Sequence, residues 1–195
     1  MIIIDIGACI GEFIDFAIKK WNPGKLYAFE PFPNNFTFLK QKYRDQQQQI
    51  EIIEAAVSSF KGEAQFYKKE YSQGRGYDFA GNAGSSLYRL KNKPKPTIMV
   101  NVIRLSDFIR DKGISMVDIL KVDAEGSEYD IFDELMTYGG MEKIGKIYFE
   151  DHCRKLNQNK PKKERVVERM KEEGFFDKLH SEIWDYPEIT GFINE

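Results

Sequence analysis

Cysteine is scarce in this chain: 195 residues contain two, Cys9 and Cys153, far apart in sequence. That excludes a disulfide framework and points to a reduced, cytoplasmic protein. Excess charge of either sign is also missing. Against 29 basic residues stand 31 acidic ones, a formal net charge of −2, so no bulk field draws nucleic acid and a small partner is expected. Long apolar runs are absent too. Asp5 interrupts the opening MIII, and no basic leader precedes it, so neither a signal peptide nor a membrane insertion fits. There is no internal repeat, no G-x-S-x-G elbow to support a hydrolase, and no Tyr-x-x-x-Lys pair for hydride chemistry. The length suits one well-buried domain spanning 1–195.

What is present is organised around the first stretch, MIIIDIGACIG. An unbroken apolar run rich in β-branched Ile reads as a buried strand, and Asp5, Gly7 and Gly11 mark its turn into a helix. Glycine lets the backbone bend and approach a small molecule, and the helix start offers free N–H groups. A dinucleotide fingerprint beginning at Gly7 would need glycine at positions 9 and 12, which are Cys9 and Glu12. Carboxylates at the turn repel a pyrophosphate but suit S-adenosylmethionine, which carries an ammonium and a sulfonium. The bland alternative is a strand-to-helix turn with no ligand. KLYAFE then reads as a second strand ending on Glu30, placed to accept from the two hydroxyls of a ribose. A surface acid capping the next helix is the other reading of Glu30.

The spacing predicts a first helix carrying Phe13, Phe16, Ala17 and Trp21 on one face, stopped by Asn22-Pro23-Gly24. A second helix follows PFPNN, with Phe36, Leu39 and Tyr43 as core residues. Gln46–Gln49 reads as a solvated loop. Ile50–Val57 reads as one third strand whose end, Ala55–Ser58 with Ala56 central, borders an adenine; a turn at 60–63 leads into the strand AQFYK. The stretch 70–88, glycine-rich and without apolar periodicity, is expected to be a mobile lid over the site. KNKPKP after it is a solvated linker.

Thr97–Leu105 is predicted as a strand and Ser106 as the cap of a short helix. VDILKV is the fourth principal strand, running into Asp123-Ala124-Glu125-Gly126 before a helix that begins at Ser127. KIYFE is the fifth, ending at Glu150-Asp151-His152. A polar loop at 154–163, a helix at 164–173, and two closing strands at 175–184 and 188–193 complete the chain. Strands alternating with helices predict a parallel α/β sheet, and in such sheets ligands collect outside the carboxyl ends of the strands.

In order and approximate spacing, IDIGACIGEF, YAFEPFPNNF, AAVS, SSL, VIRLSDFI, DILKVDAEGSEYDIF and IYFEDH resemble the FkbM-type S-adenosylmethionine-dependent methyltransferases over Met1–His152. The resemblance implies a Rossmann-like class I methyltransferase fold: a seven-stranded, mostly parallel sheet with helices on both faces and an antiparallel last strand. It also implies O-methylation of a hydroxyl on a sugar, glycan or natural product. By the same transfer Asp5, Gly7 and Gly11 belong to the cofactor loop, Glu30 binds the ribose, and Asp123 lies near the methionine or the transferred methyl. Many relatives carry an extension before the first strand, so acceptor contacts made there are missing or supplied differently.

Methyl transfer to an alcohol requires in-line alignment and a group to take the proton. His152, Glu125 and Asp123 are the candidates, His152 first because imidazole titrates closest to neutrality; the alternative is a structural histidine. Asp123, Glu125, Glu150 and His152 could also hold a divalent metal, but nothing in the spacing demands one and a metal-free site is expected. The other functional readings are a nicotinamide-dependent oxidoreductase and an inactive nucleoside-binding module. Acceptor specificity is assigned to the 70–88 and 154–163 loops.

Overall fold

The opening apolar run forms β1 (Ile2–Ile6). In the computed structural model, which describes residues 1–68, 84–88, 96–155 and 160–180, β1 lies inside a six-stranded sheet. Its neighbours are β2 (Lys25–Phe29) and β7 (Val117–Val122), both parallel to it. β3 (Ile50–Ile53) lies outside β2, while β8 (Ile144–Phe149) and the short β9 (Leu179–His180) follow β7. Every pairing in this sheet is parallel. The chain builds outward from β1 in one direction, then returns to build outward in the other. That reversal makes the β1/β7 junction a topological switch point, where parallel α/β sheets bind ligands.

Helices cover both faces, as the alternating pattern requires. On one side α1 (Glu12–Trp21) and α2 (Pro33–Lys42) pack Phe13, Ile14, Ala17 and Leu39 against Ile3 and Leu26. Asn22, in a left-handed conformation before Pro23, ends α1. On the other side α3 (Leu105–Asp111), α4 (Glu128–Thr137) and α5 (Lys160–Glu172) bury Ile109, Phe132 and Met170 against Ile4, Ile6 and Leu120. Because side chains alternate along β1, Ile3 and Ile4 feed different cores. No helix among the described residues is long and apolar enough to cross a membrane.

Several boundaries differ from those expected. Six strands of the predicted seven-stranded sheet are among the described residues, the one expected at 188–193 lying outside them, and the run Ile50–Val57 is broken in two. The Ala55 N–H turns back to the Ile53 carbonyl at 3.0 Å, and β4 (Ala56–Val57) leaves for a second sheet with β5 (Gly62–Tyr67) and β6 (Thr97–Ile103). The last described strand, β9, runs parallel to β8; the antiparallel strand expected at 188–193 lies outside the described residues. Ser106 does not cap α3. Arg104 takes that position, and Ser106 sits buried inside the helix, bonded to Glu134. The expected loop at 154–163 is shorter than predicted, because α5 starts at Lys160, with Pro161 in its first turn, where a missing N–H costs nothing. The lid expected at 70–88 falls outside the described residues except for 84–88, and so does the linker at 91–95.

Candidate active site

Four segments leave the carboxyl ends of β1, β2, β7 and β8 side by side, and they carry every site residue expected from the sequence except Ala56. The β1 turn is fixed by contacts that glycine alone permits. Gly7 has φ +80°, and a Cβ there would lie 1.9 Å from the Asp123 carbonyl oxygen, so the turns after β1 and β7 touch through bare backbone. Its N–H and that of Ala8 both donate to the Phe29 carbonyl at 3.0 Å. Gly11 starts α1 with φ +85°, and a Cβ would meet Tyr43 Oη at 2.5 Å. Tyr43 in turn lies 2.9 Å from the Gly11 carbonyl and 2.7 Å from Asp15, tying α2 to the turn.

Glu30 follows β2 and is buried. Its two oxygens accept from different segments, Oε2 from the Cys9 N–H at 2.8 Å and Oε1 from the Phe32 N–H at 2.9 Å. The carboxylate thus clamps the β1 turn to the start of α2, rather than capping a helix at the surface. Burial pushes it up to about 7, against the pull of those two N–H groups. The Cys9 thiol, also covered and beside Glu30, is pushed up to about 12 and stays protonated.

Asp5 lies inside β1, behind the turn. It is fully buried and pairs with Lys121 at 3.0 Å, its direct register partner on β7. Lys121 also donates to the Gly7 carbonyl at 2.8 Å and lies 3.6 Å from Asp123. Burial pulls the ammonium down, but the Asp5 and Asp123 charges outweigh it and hold it above the ordinary lysine value. Asp5 therefore shapes the turn through Lys121. Nothing local in the sequence marks Lys121 for this role; its one signal is a lysine inside the apolar strand VDILKV.

At the ends of β7 and β8 the structure gathers Asp123, Glu125, Glu150 and His152. Glu125 holds φ +50°, a conformation uncommon outside glycine, which turns its side chain back toward β8. His152 Nε2 lies 3.1 Å from Glu150, 3.4 Å from Glu125 and 3.9 Å from Asp123. Its Nδ1 sits 2.9 Å from Glu128 Oε1, and that buried carboxylate also accepts from the Ala124 and Gly126 N–H groups. Glu128 is the second residue the sequence did not reveal. Burial pulls the imidazole down, yet the surrounding carboxylates, Glu128 and Glu150 first, hold it up at about 10. His152 is 1% exposed, whereas the Asp123 and Glu125 side chains are 32% and 19% exposed. Ser86 Oγ donates to the Glu125 carbonyl, so 84–88 packs directly on this turn. Ala56 is buried with Phe32, Phe66 and Val102 in the small sheet's core.

Comparison with known proteins gives the chain a family and a shared fold. Residues 5–186 match the Methyltransferase FkbM domain. The 31-O-demethyl-FK506 methyltransferase FkbM of Streptomyces tacrolimicus is 29% identical over 146 residues, covering 65% of this chain and 56% of its own length. Methyltransferase sdnD of Sordaria araneosa is 26% identical over 151 residues, covering 66% of this chain and 58% of its own. The chain thus spans a little over half the length of these relatives. The crystal structure of Methyltransferase FkbM from Methylobacillus flagellatus superposes with a TM-score of 0.54 at 16% identity, over 85% of this chain and 36% of the other, a likeness of fold. With the family match running from β1 past β9, the chain belongs to the FkbM methyltransferase family.

Proposed function

We propose that this chain transfers the methyl group of S-adenosylmethionine to a hydroxyl oxygen of a small-molecule or glycan acceptor. The observation that carries the reading is the pairing of Glu30 and Asp123 on either side of the Gly7–Gly11 turn, at the switch point of the sheet. The donor set fits the cofactor. Each oxygen of Glu30 accepts from one backbone N–H and the Asn35 side chain reaches the same carboxylate; the remaining acceptor capacity serves the ribose hydroxyls. Gly7 lets the β1 and β7 turns close on each other through bare backbone, which brings Asp123 beside the cofactor turn, and the adenine runs toward 55–58.

When bound, the cofactor supplies an electrophilic methyl on a sulfonium. The chain's own part is to align the acceptor and take its proton: the oxygen–carbon bond forms as the carbon–sulfur bond breaks, leaving a methyl ether and S-adenosylhomocysteine. Exposure decides which group receives the proton. An acceptor reaches the Asp123 and Glu125 carboxylates, whereas His152 lies behind them and orients them. Calorimetry with S-adenosylmethionine and with NAD tests the reading. Heat is expected from the sulfonium compound alone, and Glu30→Ala weakens it; equal heats for both proteins would remove Glu30 from the site, and binding of NAD alone would replace the reading with an oxidoreductase.

A further inference from the structure

Negative charge converges on one side of His152. Asp123, Glu125 and His152 each offer a ligand atom, and these atoms lie within 4.8 Å of one another. Carboxylates crowded at this spacing repel unless a positive charge sits among them; the protonated ring and Lys121 supply it here, and a divalent cation would replace the Nε2 proton. The second observation is the imidazole itself. His152 is 1% exposed, and its buried Nε2 is aimed into the cluster, 3.1 Å from Glu150 Oε1 and 3.4 Å from Glu125 Oε2, without a well-formed hydrogen bond. The ring cannot turn aside. Its Nδ1 is held by Glu128, itself fixed by two backbone N–H groups of the turn that carries Glu125. A carboxylate on the far nitrogen is the arrangement that orients a metal-bound histidine and raises its basicity.

We propose that Asp123, Glu125 and His152 form a site for one divalent cation of manganese-like character, with Glu150 at its edge and Glu128 positioning the ring. One imidazole with carboxylate oxygens selects an ion between the hard, oxygen-only cations and the thiolate-loving ones. The proposal departs from the metal-free site expected from the sequence. Its purpose rests on the methyl-transfer reading: a cation there would sit beside the acceptor hydroxyl and lower its pKa. Its existence does not, because binding is measurable without cofactor or acceptor.

The test is a titration of the full chain with Mn2+ followed by electron paramagnetic resonance of the free ion, with thermal unfolding in parallel. Wild type is expected to remove one equivalent of the free signal and to unfold at a higher temperature with Mn2+. Glu125→Gln and His152→Ala lose both effects, Glu128→Gln weakens binding by about 10- to 100-fold, and exposed Asp45→Asn behaves as wild type. Should His152→Ala fail to fold, Glu125→Gln, at a partly exposed position, decides the matter. No depletion by wild type, or depletion unchanged in Glu125→Gln, overturns the proposal. Calorimetry with S-adenosylmethionine on the same samples separates the two claims: cofactor binding without Mn2+ binding removes only the metal, and the reverse removes only the methyl-transfer reading.

Discussion

Replacing Lys121 by methionine isolates the contact that joins the two central strands to the site. The methionine fills similar volume without charge, so Asp5, 0% exposed, loses its partner at 3.0 Å, and the Gly7 carbonyl loses a donor at 2.8 Å. Breaking a buried pair from one side leaves an uncompensated charge and costs about 3–5 kcal/mol. For a domain of about this size that lowers the unfolding midpoint by roughly 6–20 °C. Burial already raises Asp5 with the lysine present, so without it the acid takes up a proton on folding, and the deficit deepens as pH rises above the ordinary carboxylate range. Urea unfolding of wild type, Lys121→Met, Asp5→Asn and the double variant at several pH values measures the coupling. Asp5→Asn combined with Lys121→Met is expected to recover most of the loss. A single-variant loss below about 1 kcal/mol, typical of an exposed pair, would refute the account of Lys121 as a buried keystone.

Glu30 carries a further prediction. With its folded value raised from 4.5 to about 7, the native state binds more protons than the unfolded one across that window, so its contribution falls as pH rises through it. The stability of Glu30→Ala relative to wild type should therefore climb by about 3 kcal/mol between those limits, read from urea midpoints; a flat difference would mean that burial leaves the acid unperturbed. Gly7→Ala, with its Cβ 1.9 Å from the Asp123 carbonyl, is expected to cost about 3 kcal/mol or more and to abolish cofactor binding. Gly113→Ala, equally left-handed at φ +65° but facing open space, should cost only about 1–2 kcal/mol. Tyr43→Phe removes the tie to the Gly11 carbonyl and Asp15 and should cost about 1–2 kcal/mol by the same assay.

The parts of the fold legible in the sequence were those whose signal is local. The Ile run of β1, the glycines after it, and the apolar stretch of β7 ending in acids each carry their own periodicity and punctuation. The break between β3 and β4 carried none. Ile50–Val57 reads as one continuous β-prone run, and the departure of Ala56 to a second sheet is decided by its pairing with Val102, far away in sequence. The same holds within the site. Asp123, Glu125 and His152 were visible because they follow predicted strands, but Glu128 lies in the first turn of a helix, where an acid is ordinary. Only the folded chain places it against His152. Asp5 was legible as a residue of the β1 strand, but its pairing with Lys121 was not, since that lysine comes from a strand more than a hundred residues away. Pro161, by contrast, was a local signal for the start of α5, and an earlier helix could have been read from it.

Ser86 belongs to two worlds at once: its backbone bridges to Tyr67 at the tip of β5, and its hydroxyl grips the Glu125 carbonyl. The minor sheet is thereby a lever on the carboxylate turn. Insertions or deletions that reposition the end of β5 should therefore propagate straight to Glu125 while leaving the Gly7–Gly11 turn in place.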